Sequence, residues 1–310
     1  MRIVFMGTPD FAANVLQALM DAKHEVVLVV SQPDRAVGRK RVMTKTPVKN
    51  VAEAHGISVF QPEQIKVDYT SILEVNADII VTAAYGQIVP KAVLDAPRLG
   101  CINVHASLLP KYRGGAPIHQ AIIDGEPETG VTIMYMEETM DTGDIISQKA
   151  IPILESDDVG SMFEKLSVVG ADLLTATLPA IENGTAGRAV QDATKATYAS
   201  NIKREQEKIK WRKTLKEVYN QIRGLHPWPV AYSVIDETQF KVFRSEKAVD
   251  IKSAGEPGTI LGITADGIEV TCGDGGVLRL IDVQIAGKKR IAMKDLLNGS
   301  HPFEMGKKLG

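Results

Sequence analysis

The chain contains 310 residues, of which 44% are hydrophobic and 24% are charged, as is typical of a folded protein with one large or two ordinary domains. Its two cysteines exclude a disulfide framework and a four-cysteine zinc site. The sequence has no apolar run long enough to span a membrane and no signal peptide before the first apolar run, so we expect a cytoplasmic protein that does not bind membranes.

The net charge of −2 is divided unevenly along the chain. Residues 206–310 hold 17 Lys and Arg against 13 Asp and Glu, whereas residues 1–205 hold 19 against 25. The total charge therefore neither favours nor excludes a nucleic-acid partner, and only local basic clusters can indicate one.

In the first 150 residues, short apolar runs alternate with segments of helical periodicity. The apolar runs predict strands at Ile3–Met6, Val26–Val30, Ile79–Thr82, Cys101–Val104 and Val131–Tyr135. The helical segments are Phe11–Met20 and Val48–His55, and the second is opened by Thr46-Pro47, an N-cap residue followed by proline. This alternation predicts an α/β protein with a doubly wound, mainly parallel sheet. Ile145–Ile153 would add an edge strand and Val159–Asn183 a long helix.

The remainder of the chain predicts a second, smaller domain. Residues 189–206 are mostly polar, small and without periodicity, which indicates a linker between domains 1–188 and 207–310. A helix is expected near Thr214–Arg223, and Pro227-Trp-Pro229 then interrupts helical structure. Tight turns separate five strand candidates, at Ala231–Ile235, Phe240–Phe243, Thr259–Ile263, Ile268–Thr271 and Val277–Val283. Five strands joined by tight turns predict a small β-barrel.

The turn after the first strand contains Gly7-Thr-Pro, at a place where dinucleotide-binding proteins carry a glycine-rich motif. No G-x-G-x-x-G follows this strand, and the chain contains no phosphate-binding Gly-Lys-Ser/Thr loop. We therefore interpret Gly7 as the residue of a tight strand-to-helix turn. The missing motif disfavours a nicotinamide-dependent dehydrogenase, a function that the fold class alone would suggest.

Two polar side chains occur at the end of the strand predicted over residues 101–104. Asn103 and His105 are two residues apart, and because the side chains of a strand alternate between its faces, both should project to the same side. Functional sites of α/β proteins lie at the carboxyl ends of parallel strands. An amide donor beside an imidazole can stabilise an oxyanion and move a proton at a carbonyl carbon, so this pair predicts catalysis.

A third polar group, Asp141 in Met140-Asp-Thr-Gly, could orient the imidazole of His105, although Asp-x-Gly is also a common turn sequence. His105, His119 and Asp141 could in principle gather around a metal ion. Because the chain lacks the H-x-H, H-E-x-x-H and Cys/His spacings of zinc sites, we expect no metal centre.

Residues 34–45 predict a loop between a strand and a helix that is long for a segment without secondary structure. This loop holds five cations inside an otherwise acidic half of the chain: Arg35, Arg39, Lys40, Arg41 and Lys45. A second basic cluster comprises Lys288, Lys289 and Arg290. Such clusters can contact the phosphates of a nucleic acid, although a solvated basic loop remains the alternative.

Three segments together resemble the formyltransferases that use 10-formyltetrahydrofolate. They are Asn103-Val-His105, Ser107-Leu-Leu-Pro-Lys-Tyr-Arg113-Gly-Gly, and Asp141, which follows His105 by 36 residues. Within that family, the start Gly7-Thr-Pro-Asp-Phe11 and the C-terminal region are most similar to the members that act on initiator methionyl-tRNA. The resemblance covers essentially the whole chain. It implies a Rossmann-like formyltransferase domain followed by a barrel of the oligonucleotide-binding (OB) type.

This resemblance also implies roles for individual residues. Asn103, His105 and Asp141 would catalyse, without a metal ion, formyl transfer from the co-substrate 10-formyltetrahydrofolate to the methionine of initiator methionyl-tRNA in translation initiation. Two loops would bind the folate, the first largely through main-chain groups that Gly86 allows to come close: Tyr85-Gly86-Gln87-Ile88-Val89 and Ser107-Leu108-Leu109-Pro110. The two basic clusters would bind the tRNA, with residues 34–45 entering the acceptor stem near its end and Lys288–Arg290 contacting phosphates.

Alternatives to this function remain open. A formyltransferase that acts on an amino sugar would share the three segments, and so would folate hydrolase or dehydrogenase relatives. An inactive tRNA-binding module is a further hypothesis, which the intact set of Asn103, His105 and Asp141 disfavours. The basic loop and the C-terminal barrel favour tRNA as the substrate. We expect a monomeric enzyme. Lys111 and Arg113 suit either the glutamate tail of the folate or the tRNA backbone.

Overall fold

In the computed structural model, which describes residues 1–38 and 40–310, the chain is shared between two units that each consist of three segments. Unit 1 comprises Met1–Pro117, Thr129–Ile151 and Phe163–Ser200, and unit 2 comprises Ile118–Glu128, Pro152–Met162 and Asn201–Gly310. The strands are β1 (Arg2–Gly7), β2 (Glu25–Val30), β3 (Arg35–Val37), β4 (Val42–Thr44), β5 (Val59–Phe60), β6 (Ile79–Ala83), β7 (Cys101–His105), β8 (Glu128–Tyr135), β9 (Ile145–Pro152), β10 (Ala231–Ile235), β11 (Thr238–Lys252), β12 (Ile260–Thr264), β13 (Gly267–Thr271), β14 (Gly276–Ile285) and β15 (Ile291–Ala292). The helices are α1 (Asp10–Asp21), α2 (Pro47–Ala54), α3 (Thr70–Glu74), α4 (Lys91–Leu94), α5 (Pro117–Asp124), α6 (Val159–Glu182), α7 (Arg204–Glu207), α8 (Leu215–Arg223) and α9 (Met293–Leu296).

Unit 1 is built on a seven-stranded sheet with the order β5-β2-β1-β6-β7-β8-β9. Strands β5, β2, β1, β6 and β7 run parallel, and β8 pairs with β7 in the antiparallel sense. Ile3–Met6 in β1 and Ile79–Val81 in β6 are almost completely buried, as expected of central parallel strands that are covered on both faces. The predicted mainly parallel sheet is confirmed, and β9 lies at its edge as predicted.

Two local predictions about the starts of helices are also confirmed. A Cβ on Gly7 would lie 2.6 Å from the Cβ of Ala12 and 2.9 Å from the carbonyl oxygen of Ala83, so the turn from β1 to α1 needs glycine. At the start of α2, Thr46 Oγ1 accepts a hydrogen bond from the N–H of Lys49 (3.2 Å), and Pro47 takes the first helical position.

The basic segment contains more regular structure than its sequence predicts. Strands β3 and β4 pair in the antiparallel sense, with Arg35 opposite Thr44 and Val37 opposite Val42. The prediction of a segment without secondary structure was therefore wrong. Each strand has only three residues and all of them are exposed, so no alternation of buried and exposed positions marks the strands in the sequence. We refer to residues 34–45 as the basic hairpin.

Unit 2 contains an antiparallel sheet in the order β10-β11-β14-β13-β12, and β15 pairs with β14. Strand β11 runs from Thr238 to Lys252 and is much longer than the predicted Phe240–Phe243. Its second half carries Arg244, Glu246 and other polar side chains, which hide the strand from a search for apolar runs. This half is nevertheless a strand because it continues to pair with β14.

Residues 306–310 connect the two edges of this sheet and close it into a small barrel. Ile260 of β12 exchanges backbone hydrogen bonds with Gly306 and Lys307 (both 2.9 Å), and Val234 of β10 exchanges two with Gly310 (both 2.9 Å). Phe240 and Phe303 fill the interior, with ring centroids 5.1 Å apart in an edge-to-face arrangement. The sequence did not predict the closing segment, because Lys-Lys-Leu-Gly has no strand pattern.

Residues 189–199, which the sequence placed in a linker, lie in unit 1, and we refer to them as the strap. At its start, Ala189 exchanges two backbone hydrogen bonds with Ile145 of β9 (2.8 and 2.9 Å). At its end, Thr197 accepts a backbone bond from Arg113 (2.9 Å), and Ala199 donates one to Arg113 (2.7 Å). The strap thus connects β9 with the loop that follows β7.

Both cysteines are buried, one in each unit, and burial raises the pKa of the Cys101 and Cys272 thiols to about 12. They therefore behave as small hydrophobic side chains, as the apolar context of Cys101 predicts. No helix formed by residues 1–38 and 40–310 is both long and apolar enough to cross a membrane.

Candidate active site

Asn103 is the one residue of β7 that is partly exposed, while its four neighbours in the strand are buried. Thr82 lies opposite Asn103 on the adjacent parallel strand β6, and its Oγ1 donates a hydrogen bond to Asn103 Oδ1 (2.8 Å). Because the amide oxygen is occupied by this bond, the Nδ2 group of Asn103 is the end of the amide that is left to donate. Sequence reasoning did not find Thr82, which reads only as part of an apolar strand.

The imidazole of His105 lies between a main-chain carbonyl and a carboxylate. Its Nε2 is 3.0 Å from the carbonyl oxygen of Tyr112, and its Nδ1 is 3.7 Å from Oδ1 of Asp141, which is within ion-pair distance but too long for a hydrogen bond. A carbonyl oxygen can only accept, so Nε2 carries the hydrogen. Nδ1 is then the nitrogen at which a further proton adds, and it faces the carboxylate.

Asp141 is held in its turn by main-chain contacts. Its Oδ2 accepts a hydrogen bond from the N–H of Gly114 (2.8 Å), and its φ is +54°, in the left-handed region that residues other than glycine rarely adopt. A Cβ on Gly143 would lie 1.9 Å from the carbonyl oxygen of Tyr135, so this turn requires glycine two positions after Asp141. The structure thus brings Asp141 and His105 together, as the sequence predicts.

Gln191 in the strap also contacts this turn, and sequence reasoning missed it. Its Nε2 donates to the carbonyl oxygens of Asp141 (2.9 Å) and Gly143 (2.8 Å), and its Oε1 accepts from the guanidinium of Arg113. Arg113 is only 5% exposed. Its guanidinium therefore faces a partner inside the protein, instead of the anionic substrate groups that the sequence suggested.

The loop after β7 is held by side chains from β8 and β9. Thr132 Oγ1 donates to the carbonyl oxygen of Ser107 (2.6 Å) and accepts from the N–H of Leu109 (3.2 Å). Gln148 Nε2 donates to the carbonyl oxygen of Leu109 (2.9 Å), and Ser107 Oγ donates to that of Lys111 (2.7 Å). The Ser107 and Leu109 side chains are buried, whereas Leu108 and Pro110 are partly exposed. The residues predicted to bind folate here thus form a fixed loop that continues from the carboxyl end of β7.

The other segment predicted to bind folate, residues 85–89, presents its main chain. Tyr85 and Val89 are buried, while Gly86 and Ile88 between them are exposed. The carbonyl oxygen of Tyr85 accepts from Thr8 Oγ1 and Gln32 Nε2 (both 3.1 Å). In the described part of the chain, the peptide N–H and C=O groups of residues 86–88 take no protein partner. These groups are therefore available to form hydrogen bonds with a ligand or with water.

Two further features of residues 85–89 bear on a ligand. Gln87 Oε1 accepts from the N–H of Ile65 (2.9 Å), so this side chain supports the loop. Burial raises the pKa of Tyr85 to about 12, and its hydroxyl has no partner among the described residues. An unpartnered buried hydroxyl is costly in an otherwise apolar setting and marks a position where a ligand or water can donate or accept.

The basic hairpin is anchored at its base. Asp34 forms an ion pair with Lys49 (2.6 Å) and accepts from Gln61 Nε2 (2.8 Å). Lys45 pairs with Glu53 (2.6 Å). Arg35, Lys40 and Arg41 are exposed and form no ion pair with residues 1–38 or 40–310, whereas Arg39, also predicted to bind tRNA, lies outside the described residues.

The second basic cluster divides into two kinds of side chain. Arg290 Nε donates to Asp282 Oδ2 (2.8 Å), and its guanidinium lies 4.2 Å from the ring centroid of Phe243. Lys288 and Lys289 are exposed and make no ion pair with the part of the chain that the structure describes.

A cavity of about 760 Å³ in unit 1 is lined by Gly100 and Cys101 at the start of β7 and contains none of the predicted site residues. Residues 1–38 and 40–310 contain no group of three or more acidic, histidine or cysteine side chains arranged to hold a metal ion.

Two domain families match the chain: formyl transferase over residues 1–178, and formyl transferase, C-terminal domain, over residues 201–301. These matches define an enzyme that transfers a formyl group. The fold agrees with them, because strand β7 carries the amide of Asn103 and the imidazole of His105. Methionyl-tRNA formyltransferases of two Staphylococcus aureus strains, bovine RF122 and JH1, are each 54% identical over 310 residues, which is 99% of this chain and 99% of theirs. The chain belongs to the methionyl-tRNA formyltransferase family, whose activity is formyl transfer to initiator methionyl-tRNA.

Solved structures share this fold at lower identity. The sugar 3N-formyl transferase WlaRD, solved in the presence of dTDP and 5-N-formyl-THF, has a TM-score of 0.69 at 21% identity and covers 93% of this chain and 99% of its own. The N-formyltransferase of Helicobacter canadensis, solved with folinic acid and dTDP-3-aminofucose, has a TM-score of 0.69 at 22% identity, with 91% and 98% covered. HypX from Aquifex aeolicus has a TM-score of 0.68 at 17% identity, covering 96% of this chain and 48% of its own.

Proposed function

We propose that this chain transfers the formyl group of 10-formyltetrahydrofolate to the α-amino group of methionine on initiator methionyl-tRNA, and that Asn103, His105 and Asp141 carry the chemistry. The observation that carries this proposal is that β7 holds Asn103, whose amide oxygen accepts from Thr82, two residues before His105, whose Nδ1 faces Asp141. The 54% identity to methionyl-tRNA formyltransferases over nearly the whole chain supports it.

Asn103 acts on charge that develops during the reaction. When the amine attacks the formyl carbon, the formyl oxygen becomes an oxyanion, to which Asn103 Nδ2 donates a hydrogen bond. Thr82 has already turned the amide so that Nδ2 is free to donate (2.8 Å to Oδ1), and no reorganisation is needed as the charge appears.

His105 and Asp141 supply positive charge and proton transfer at the same place. His105 protonated at Nδ1 faces Asp141 and stabilises the oxyanion through its positive charge, while Tyr112 holds Nε2. One C–N bond forms to the methionine amine, the bond from the formyl carbon to N10 breaks, and one proton moves from the amine to N10. Asp141 orients His105 and relays this proton through water. None of these steps requires a metal ion.

The residues predicted to bind the folate fit that group. The unpartnered peptide groups of residues 86–88 match the edge of a pterin, which presents several donors and acceptors in one plane. The fixed loop Ser107–Pro110 lies immediately after the catalytic strand and lines the remainder of the folate. The bound folate supplies the formyl group, and the chain holds it against Asn103 and His105.

The cations of the two basic clusters fit a polyanionic acceptor. Arg35, Arg39, Lys40 and Arg41 of the basic hairpin bind the acceptor end of the tRNA, and Lys288 and Lys289 bind its phosphates. The enzyme acts as a monomer in the cytoplasm.

The test of this function is a substrate comparison. Purified protein is incubated with 10-formyltetrahydrofolate and, separately, with methionyl-tRNA, free methionine and an amino-sugar nucleotide. We expect formyl-methionyl-tRNA as the product and no formylation of the other two acceptors. Preferential formylation of the amino sugar would contradict the proposal, and tRNA binding without turnover would identify an inactive tRNA-binding module.

A further inference from the structure

The side-chain amide of Gln191 joins the buried guanidinium of Arg113 to the turn that carries Asp141. Gln191 Oε1 accepts hydrogen bonds from Nε and Nη2 of Arg113 (3.1 and 2.7 Å). Gln191 Nε2 donates to the carbonyl oxygens of Asp141 and Gly143 (2.9 and 2.8 Å). All four hydrogen-bonding positions of the amide are therefore in use. Gln191 is 8% exposed and Arg113 is 5% exposed.

These partners permit only one orientation of the amide. The partners of Nε2 are two carbonyl oxygens, which only accept, and the partners of Oε1 are guanidinium N–H groups, which only donate. The reversed amide would place an oxygen against two carbonyls and an NH2 group against a cation, with every bond lost in a buried site. Gln191 is therefore a rigid connector between Arg113 and the turn.

The turn that Gln191 holds fixes the carboxylate that faces His105. Asp141 lies in the left-handed region (φ +54°). This conformation costs free energy, which the surrounding contacts must offset. Two contacts hold Asp141 in this conformation. Its side-chain Oδ2 accepts a hydrogen bond from the N–H of Gly114 (2.8 Å), and its main-chain carbonyl oxygen accepts one from Gln191 Nε2 (2.9 Å). The distance of 3.7 Å from Oδ1 to His105 Nδ1 depends on both.

The strap that carries Gln191 also holds Tyr112, whose carbonyl oxygen contacts Nε2 of His105. Thr197 Oγ1 accepts a hydrogen bond from the N–H of Tyr112 (2.9 Å), whose carbonyl oxygen lies 3.0 Å from His105 Nε2. Tyr112 also has a positive φ, +59°. One segment of chain thus restrains the residues on both sides of the imidazole.

We propose that Gln191 is a positioning residue of the formyl transfer, which acts through Asp141 by fixing the carboxylate against His105. This inference rests on the proposed function, since it requires that Asp141 and His105 take part in the reaction. Gln191 is buried and contacts the protein through all of its amide, so its loss should lower kcat and leave the KM values of both substrates near those of the wild-type enzyme.

The first experiment measures kcat and KM of the variant Gln191→Glu in the full-length enzyme, with methionyl-tRNA and 10-formyltetrahydrofolate as substrates. The glutamate keeps an oxygen for Arg113 and replaces the Nε2 donor with an oxygen that faces two carbonyls. We expect kcat to fall about ten- to hundredfold, the scale of loss that a displaced catalytic group produces. Val190→Thr is the matched control, because Val190 is the adjacent residue and is 84% exposed. Its kcat should equal that of the wild type.

The second experiment combines Gln191→Glu with Asp141→Asn and distinguishes positioning from general structural damage. If Gln191 acts through Asp141, Gln191→Glu should cost little in the Asp141→Asn background, whereas independent damage multiplies the two losses and overturns the inference. Wild-type kcat in Gln191→Glu beside a strongly impaired Asp141→Asn also overturns it. Wild-type kcat in Asp141→Asn would instead overturn the proposed catalytic role of Asp141. Thermal unfolding checks that each variant is folded, and Gln191→Met carries the same comparison if the glutamate variant does not fold.

Discussion

Around His105 the polar groups take partners within the protein, whereas Arg35, Lys40 and Arg41 of the basic hairpin are exposed. His105 and Gln191 each contact protein groups on both sides of their planar head groups. Lys40 and Arg41 form no ion pair with residues 1–38 or 40–310. A transition state is stabilised best by groups that are already in place, whereas a polyanion is bound by cations that release its counter-ions on contact. The groups around His105 are therefore held in place by the protein, whereas the described cations of the hairpin are available to a partner. We expect substitutions around His105 to change kcat and substitutions in the hairpin to change kcat/KM for methionyl-tRNA.

The largest effect is expected at Asn103 and His105 of β7. Asn103→Ala or His105→Ala should lower kcat by about 10²–10³, because each removes a group that acts on charge in the transition state. The KM for methionyl-tRNA should change little, since neither residue is a basic contact. The measurement is steady-state formylation with a thermal unfolding curve for each variant. Near-normal turnover in a folded His105→Ala protein would remove His105 from the catalytic set.

Thr82 tests whether the orientation of Asn103 matters apart from its presence. Thr82→Val keeps the shape of the side chain and removes the hydroxyl that donates to Asn103 Oδ1, so kcat should fall by up to about tenfold, the worth of one hydrogen bond. Thr82→Ser retains the hydroxyl and should restore most of the activity. If the serine and valine variants were equally impaired, the loss would come from packing in the sheet instead of from the hydrogen bond.

The basic hairpin should respond through kcat/KM for methionyl-tRNA. Replacing Lys40 and Arg41 by Ala should lower it several-fold and flatten its dependence on salt, by up to about 0.9 in the log–log slope for each lost phosphate contact on a duplex. Lys45→Ala is the matched control, because Lys45 is paired with Glu53 (2.6 Å) and should change the slope less. Folate binding should be unaffected. Identical slopes for the double variant and the wild type would make the hairpin an ordinary solvated segment.

The smallest effect on activity is expected in the second basic cluster, where two functions can be separated. Lys288→Ala with Lys289→Ala should weaken tRNA binding modestly and in a salt-dependent manner, without changing the melting temperature. Arg290→Ala should instead lower the melting temperature, because Arg290 is bonded to Asp282 and packs on Phe243. The assignment of tRNA binding to the lysines and of stability to Arg290 would be contradicted by either of two results. One is a lower melting temperature in the lysine variant, and the other is weaker tRNA binding with an unchanged melting temperature in Arg290→Ala.

The parts of the site that the sequence predicts are those with a local signature. Asn103 and His105 share a face because they are two residues apart in one strand, and that spacing is visible without a structure. Gly7 and Thr46 are likewise recognisable from the turn or cap that each makes with near neighbours. The parallel direction of β2, β1, β6 and β7 follows from the alternation of strands and helices, whereas their order and the short strand β5 were not predicted. The predicted features depend on short-range geometry, and the structure agrees with them.

The parts that the sequence does not predict depend on contacts between distant segments. Gln191 lies in a stretch of small and polar residues without periodicity, and nothing in that stretch indicates that a glutamine amide is buried against Arg113. Arg113 itself was considered for the glutamate tail of the folate or the tRNA backbone, because a cation in the loop after β7 suits an anionic partner. Thr82 and Gly306–Gly310 were missed for the same reason, since a hydroxyl inside a strand or a short polar terminus acquires its role only when its partner is known.

The strap has a consequence for how the enzyme acquires its activity. The bonds by which it holds the site join residues that are 50, 78 and 85 positions apart: Asp141 with Gln191, Arg113 with Gln191, and Tyr112 with Thr197. Closing such loops costs chain entropy that local helices and turns do not incur, so these contacts should form late in folding. On the ribosome, β7 emerges long before Thr197, and the imidazole cannot reach its final setting until the strap has been synthesised and has docked. Catalytic competence should therefore appear as one of the last properties of the folding chain, after the sheet that carries it.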